Sequence, residues 1–254
     1  MQRRKLPKVH ADALRHCYSG KTIARTTLFE EMEKASRPTP YLCPYCLLRT
    51  PRSWDHYFPK DDYPEFSTFA LNLVRVCNSC NLRKGNRFVG PVRSVVHPFI
   101  DPLPPAPMVT ATVHINGTRI ALTYEIAPAP GAGVNPQILA LMQRHFDALS
   151  VAADMAAEGN AMVNTLVNEL VAGRNVPFTA EELGIILHGR LDARQGFPFN
   201  GCDIATLMAL IEAPGFLAHV NSKVNPAAPP PGHMYAAMIA SKNRLALTID
   251  ALAT

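Results

Sequence analysis

Cys43-Pro44-Tyr45-Cys46, then Asp55-His56, then Asn72, then Cys77-Asn78-Ser79-Cys80-Asn81-Leu82-Arg83-Lys84-Gly85: the reading of the whole chain turns on this stretch. Each Cys-x-x-Cys pair offers two thiolates from one tight knuckle, and two knuckles complete a tetrahedral zinc shell. Thirty residues separate Cys46 from Cys77. A closed shell of Cys43, Cys46, Cys77 and Cys80 has no open position for a substrate. The expected Zn²⁺ is therefore structural, and it holds both ends of the intervening segment together.

The local pattern inside this frame predicts strand, loop, strand, helix. Residues 49–58 and 71–76 read as strands, residues 59–68 as a charged loop containing Pro64, and residues 78–88 as a short helix. Asp55-His56 lies within the first strand, Asn72 within the second, and Asn81 in the helix. Asp55-His56 alone is a weak signal and Asn72 alone a weaker one; the joint pattern with the second knuckle and Asn81 is much more specific.

The joint pattern resembles the HNH (ββα-metal) endonuclease family, in the subgroup stapled by a four-cysteine zinc site. The resemblance covers residues 43–87 of a 254-residue chain. RNA-guided nucleases carry a similar Asp-His, Asn, Asn order, with the nine-residue step seen here from Asn72 to Asn81. The resemblance implies a metal-dependent endonuclease that hydrolyses phosphodiester bonds, most readily in DNA. It implies His56 as the general base, and Asp55 and Asn81 as ligands of one Mg²⁺ or Mn²⁺. Asn72 would fix the loop that presents His56. Arg83, Lys84 and Arg87 would contact flanking phosphates. A second reading stays open: a zinc module with a silent site, which binds nucleic acid or a protein partner without cutting.

Charge agrees with a nucleic-acid partner for the first part of the chain. Residues 1–100 hold 17 Lys and Arg against 8 Asp and Glu, a net of +9, whereas residues 101–254 hold 8 against 12, a net of −4. No apolar run approaches the roughly 18 residues a membrane span requires, so no membrane partner is expected. The basic start, Met1 to Lys8, has no apolar core behind it, so a cytoplasmic location is expected. Cys17 and Cys202, outside the knuckles, read as small buried hydrophobes.

The expected fold class is α+β: an HNH core, a β-hairpin and a mainly helical C-terminal part. Residues 1–40 form a basic arm and a helix, which Arg37-Pro38-Thr39-Pro40 stops, and residues 41–100 form the core. Residues 101–134 form a Pro-rich connector and a hairpin turning on Asn116-Gly117. Residues 135–254 are helical: a long helix over 135–172 with a break at Gly159, a helix over 180–192 capped by Thr179 with Glu182 completing a capping box, and helices over 203–218 and 233–253. The layout is also similar to stand-alone HNH proteins of bacterial anti-phage systems. There a nuclease is paired with a regulatory protein such as an ATPase, which makes such a partner an expectation here.

Overall fold

The computed structural model describes residues 6–20, 22–35, 42–86, 92–128, 132–196, 198 and 200–227. The architecture is α+β, with two small antiparallel sheets among helices. Two helices come first, α1 (Lys8–Ser19) and α2 (Ile23–Ala35). Strands β1 (Ser53–His56) and β2 (Leu73–Val76) pair antiparallel, with His56 opposite Leu73 and Ser53 opposite Val76, and α3 (Asn78–Lys84) follows at once. The hairpin β3 (Val109–Asn116) and β4 (Arg119–Ile126) comes next. Five helices complete the described chain: α4 (Pro136–Leu149), α5 (Val151–Val171), α6 (Ala180–Asp192), α7 (Cys202–Glu212) and α8 (Phe216–Asn221).

The first ribbon is shorter than its sequence suggested, because only four residues of each strand pair. A ribbon of that size is not stable in water by itself. It is held from both sides. The Tyr57 hydroxyl donates to the Val95 carbonyl at 2.6 Å, and the His97 Nε2–H donates to the Leu71 carbonyl at 2.9 Å. On the other side His145 of α4 is wholly interior. Its Nε2–H donates to the Tyr45 carbonyl at 2.7 Å, and its Nδ1 accepts from the Val96 amide at 3.1 Å. Burial pushes His145 down to about 4, so it stays neutral and keeps Nδ1 as an acceptor. Asp154 at the start of α5 takes two arginines from the ribbon unit: Arg49 at 2.6 Å, and Arg83 at 2.6 and 3.1 Å. The buried apolar side chains accordingly run without interruption from Tyr45 and Val74 to Leu210 and Val220.

Two turns differ from their sequence reading. The hairpin does not turn on Asn116-Gly117. Asn116 pairs with Arg119, so Gly117 and Thr118 form the loop, and only Gly117 takes a positive φ, 58°. A single glycine at the first central position meets that demand. The long helix does not break at Gly159 either. It breaks at Ser150, which is left-handed at φ 52° and separates α4 from α5. Gly159 lies inside α5, buried, where the helix meets β4. A Cβ there would overlap the Tyr124 hydroxyl and stand 2.9 Å from its Cζ. Tyr124 cannot swing aside freely, because its hydroxyl donates to Thr206 at 2.6 Å, and Thr206 in turn donates to the Cys202 carbonyl at 2.6 Å.

Other expectations meet the structure more simply. The capping box of Thr179 and Glu182 is present on α6 over the expected span. The helix expected over 203–218 is instead α7 and α8, parted at Pro214-Gly215 with Gly215 at φ 90°. Cys202 is buried as expected, but Cys17 is exposed. The stop at Arg37-Pro38-Thr39-Pro40 and the helix over 233–253 lie outside the described residues.

Helix propensity alone favours Gly159→Ala by about 1 kcal/mol. The packing against Tyr124 reverses that sign, and a net loss of about 1–3 kcal/mol is expected in chemical denaturation. Adding Tyr124→Phe, which removes the overlapping oxygen, recovers part of the loss. A neutral or stabilising Gly159→Ala would mean that the helix and hairpin do not approach this closely.

Candidate functional site

The four knuckle cysteines come together. The sulfurs of Cys43, Cys46, Cys77 and Cys80 all lie within 4.8 Å of one another, and all four residues are buried. A tetrahedral zinc with bonds of about 2.3 Å places its sulfurs about 3.8 Å apart. Cys46 and Cys77 stand at 3.9 Å. The soft, all-thiol donor set and the geometry fit: this cluster could bind a structural zinc. Local backbone prepares it. The Leu47 amide donates to the Cys43 carbonyl at 2.8 Å, closing the first knuckle, and Leu47 is held left-handed at φ 54°. That conformation costs about 1–2 kcal/mol for a residue with a Cβ. Cys77 caps α3, its sulfur accepting from the Cys80 amide at 3.4 Å. Contacts with the other three thiols, and then burial, push the Cys80 thiol up; four crowded sulfurs cannot all ionise without a cation among them.

From this anchor β1 delivers two adjacent side chains to opposite faces, as strand geometry requires. Asp55 turns inward and is 3% exposed. Its Oδ2 accepts from the Tyr45 hydroxyl at 2.7 Å, and its Oδ1 accepts from the Lys84 ammonium at 2.9 Å. Lys84 also donates to the His56 carbonyl at 2.8 Å, and its side chain has no solvent exposure. Burial pushes the Lys84 amine down, and the Asp55 charge opposes that shift. Burial, and then the Asp55 charge, hold the Tyr45 phenol well above its ordinary value, so it remains a donor.

His56 turns the other way and is partly buried. Its Nε2 lies 3.0 Å from the Ser67 carbonyl. A carbonyl only accepts, so Nε2 carries the proton and Nδ1 keeps its lone pair. Burial holds the imidazole below its ordinary value against the pull of the Ser67 bond, and the charges of Lys60 and Lys84 push the same way as burial. That direction favours the neutral ring. Tyr18 of α1 stands edge-on to it, with ring centroids 4.3 Å apart.

Asn72 is buried beneath this loop. Its Oδ1 accepts from the Phe58 amide at 2.7 Å, and its Nδ2 donates to the Phe58 and Phe66 carbonyls at 3.1 and 3.0 Å. One amide thus ties both limbs of the loop between His56 and Ser67, the residue that fixes the His56 tautomer. Asn81 is partly exposed and lines an open surface depression with Asn78, Leu82 and Gly85.

Several expected roles change. Lys84 does not face phosphate: it is the buried counter-ion of Asp55. Arg83 is engaged inward, on Asp154 and on the Leu149 carbonyl at 2.7 Å. Arg87 lies outside the described residues. The expected Mg²⁺ or Mn²⁺ on Asp55 and Asn81 does not fit this arrangement. The carboxylate is enclosed and already neutralised by an ammonium, and Asn81 opens to the surface instead. The sequence held a signal for the Lys84 role. Lys84 follows buried Cys80 by four residues, so both lie on one helical face. Tyr45 and Tyr18, both in contact with the site, gave no comparable signal.

No protein-family model matches the chain, and no solved structure matches it. The chain is 35% identical over 100 residues to protein ea31 of Escherichia phage lambda, a stretch that covers 38% of this chain and 31% of that protein. The match thus spans about a third of the relative's length. Among the described residues, no helix is long and apolar enough to cross a membrane.

Removing one partner of a buried ion pair strands the other charge, at a cost of about 3–5 kcal/mol. Lys84→Met is expected to lose about that much in denaturant unfolding, and Asp55→Asn combined with Lys84→Met much less than the two single losses added. Additive losses would mean that the two side chains do not form an enclosed pair.

Proposed function

We propose that the chain is a zinc-stapled nuclease of HNH type that hydrolyses phosphodiester bonds, most readily in DNA. The single observation that carries this reading is the state of His56. Its proton is fixed on Nε2 by the Ser67 carbonyl, and its Nδ1 lone pair is uncommitted by that bond; burial lowers the imidazole from its ordinary value, which favours the unprotonated nitrogen. A base so arranged can take a proton from a water attacking phosphorus. Asn72 supports the reading as the residue that holds the His56 loop. The four cysteines, holding Zn²⁺, anchor the strands and the helix on which these groups stand. The positive balance of residues 1–100 supplies the general attraction to a polyanion. Under this reading a regulatory protein such as an ATPase would engage the helical layer behind the site.

One observation favours a second reading. The Lys84 ammonium on Asp55 fills the position at which an oxygen-liking cation would be held. A chain that keeps this pair permanently would bind nucleic acid or a protein without cutting it.

Plasmid cleavage by the purified protein with Mg²⁺ or Mn²⁺, beside His56→Ala, separates the two. The nuclease reading expects nicking or linearisation by the wild type, and a loss of at least about 100-fold in the variant with an unchanged fold. It also expects the acid limb of the pH–rate profile below the ordinary histidine value of about 6.5. Equal cleavage by both proteins would sink the assignment of His56. Retained DNA binding with no cleavage by either would establish the binding module.

A further inference from the structure

The acidic half of the chain contains a depression of the opposite character. It measures about 440 Å³ and lies where the start of β4 meets α5 and α8. Arg119, Lys223, Asn164, Asn168 and His219 line it, and among the described residues no carboxylate does. Among the described residues, neither Arg119 nor Lys223 has a carboxylate within ion-pair distance. Both are exposed, as are the two asparagines.

His219 is different. It is 5% exposed, and its Nδ1 is buried with no hydrogen-bond partner among the described residues. A buried polar nitrogen left unsatisfied is unfavourable, and native folds seldom keep one without reason. Burial, and then the nearby Lys223 charge, lower the imidazole from its ordinary value. A neutral imidazole carries one N–H, and either ring nitrogen can hold it.

We propose that this depression binds a phosphate-type oxyanion. Arg119 and Lys223 supply charge, and the amides of Asn164 and Asn168 supply neutral donors. The His219 ring forms part of the wall, and a turn about its last side-chain bond brings the unpartnered Nδ1, closed to solvent as it stands, toward the ligand. The local charge opposes the net of −4 carried by residues 101–254, so it is not the overflow of a generally basic surface. A lining of cations and amides repels metal cations and favours an acceptor-only, anionic ligand. The site does not depend on His56 or on the nuclease reading. Its ligand is either the backbone phosphate of a nucleic acid or a free phosphate group.

The test follows the ring signals of His219 in the full-length, histidine-labelled protein, assigned by their disappearance in His219→Gln. Inorganic phosphate is the first probe and an eight-residue single-stranded oligodeoxynucleotide the second. A saturable shift of the His219 signals with phosphate is expected. In Arg119→Ala combined with Lys223→Ala it moves to concentrations at least about tenfold higher. In Arg190→Ala, a surface arginine elsewhere, it does not move. A shift at lower concentrations with the oligonucleotide identifies a nucleic-acid backbone as the ligand, and a response to phosphate alone identifies a free oxyanion. His219 signals that stay fixed with both probes, or that titrate alike in the double variant and the wild type, would overturn the proposal. Equal weakening in Arg190→Ala would overturn it too, as diffuse charge attraction.

Discussion

Four sulfurs within 4.8 Å are the constraint on which the rest of the first half depends. They join residues 43–46 to residues 77–80 and so fix where β1 begins, where β2 ends and where α3 starts. Strands of four residues do not hold such a register unaided. With the knuckles closed, Asp55 and His56 have no choice of face: one side chain must enter and the other must leave. A metal in the cluster would contribute folding free energy directly, because the unfolded chain presents no preformed site.

The inward face is then a problem of charge. Asp55 enters an interior made by Tyr45, Val74 and the helix, and a lone carboxylate there would be costly. Lys84 enters with it, and Tyr45 supplies the remaining donor. The same helix turns Arg83 away from the ribbon to meet Asp154, so α3 is committed on two sides. The outward face carries His56, which stands edge-on to Tyr18 with its proton fixed by Ser67. The helical half stiffens this arrangement through His145, which joins Tyr45 and Val96 from behind.

Local signals were legible in the sequence where local physics decides. The Thr179 and Glu182 pair marks the start of α6 because both partners lie within one turn. The two knuckles mark the cysteine cluster because each is a short-range device. What was not legible depends on distant partners. Gly159 reads as a break because glycine weakens helices, yet its reason is the passage of Tyr124 from another element. Ser150 gave no break signal, because a serine carries no sequence mark of the left-handed conformation it adopts. Lys84 and Arg83 read as a basic surface because sequence shows charge but not the carboxylates that Asp55 and Asp154 bring from 29 and 71 residues away. The loop-fixing role of Asn72 came from the family resemblance and not from a local signal; its bonds to Phe58 and Phe66 span the loop after His56.

The most direct measurement combines intact mass under native conditions with the rate of thiol alkylation. Cys17 is exposed and serves as an internal reference for free reaction, while Cys202 is buried and packed and reports unfolding. One zinc ion per chain is expected, with rapid labelling of Cys17 and protection of Cys43, Cys46, Cys77 and Cys80 until a chelator removes the metal. After removal, those four label together and the ribbon loses its structure. A metal-free protein that keeps its fold and labels all four knuckle cysteines as fast as Cys17 would contradict that expectation.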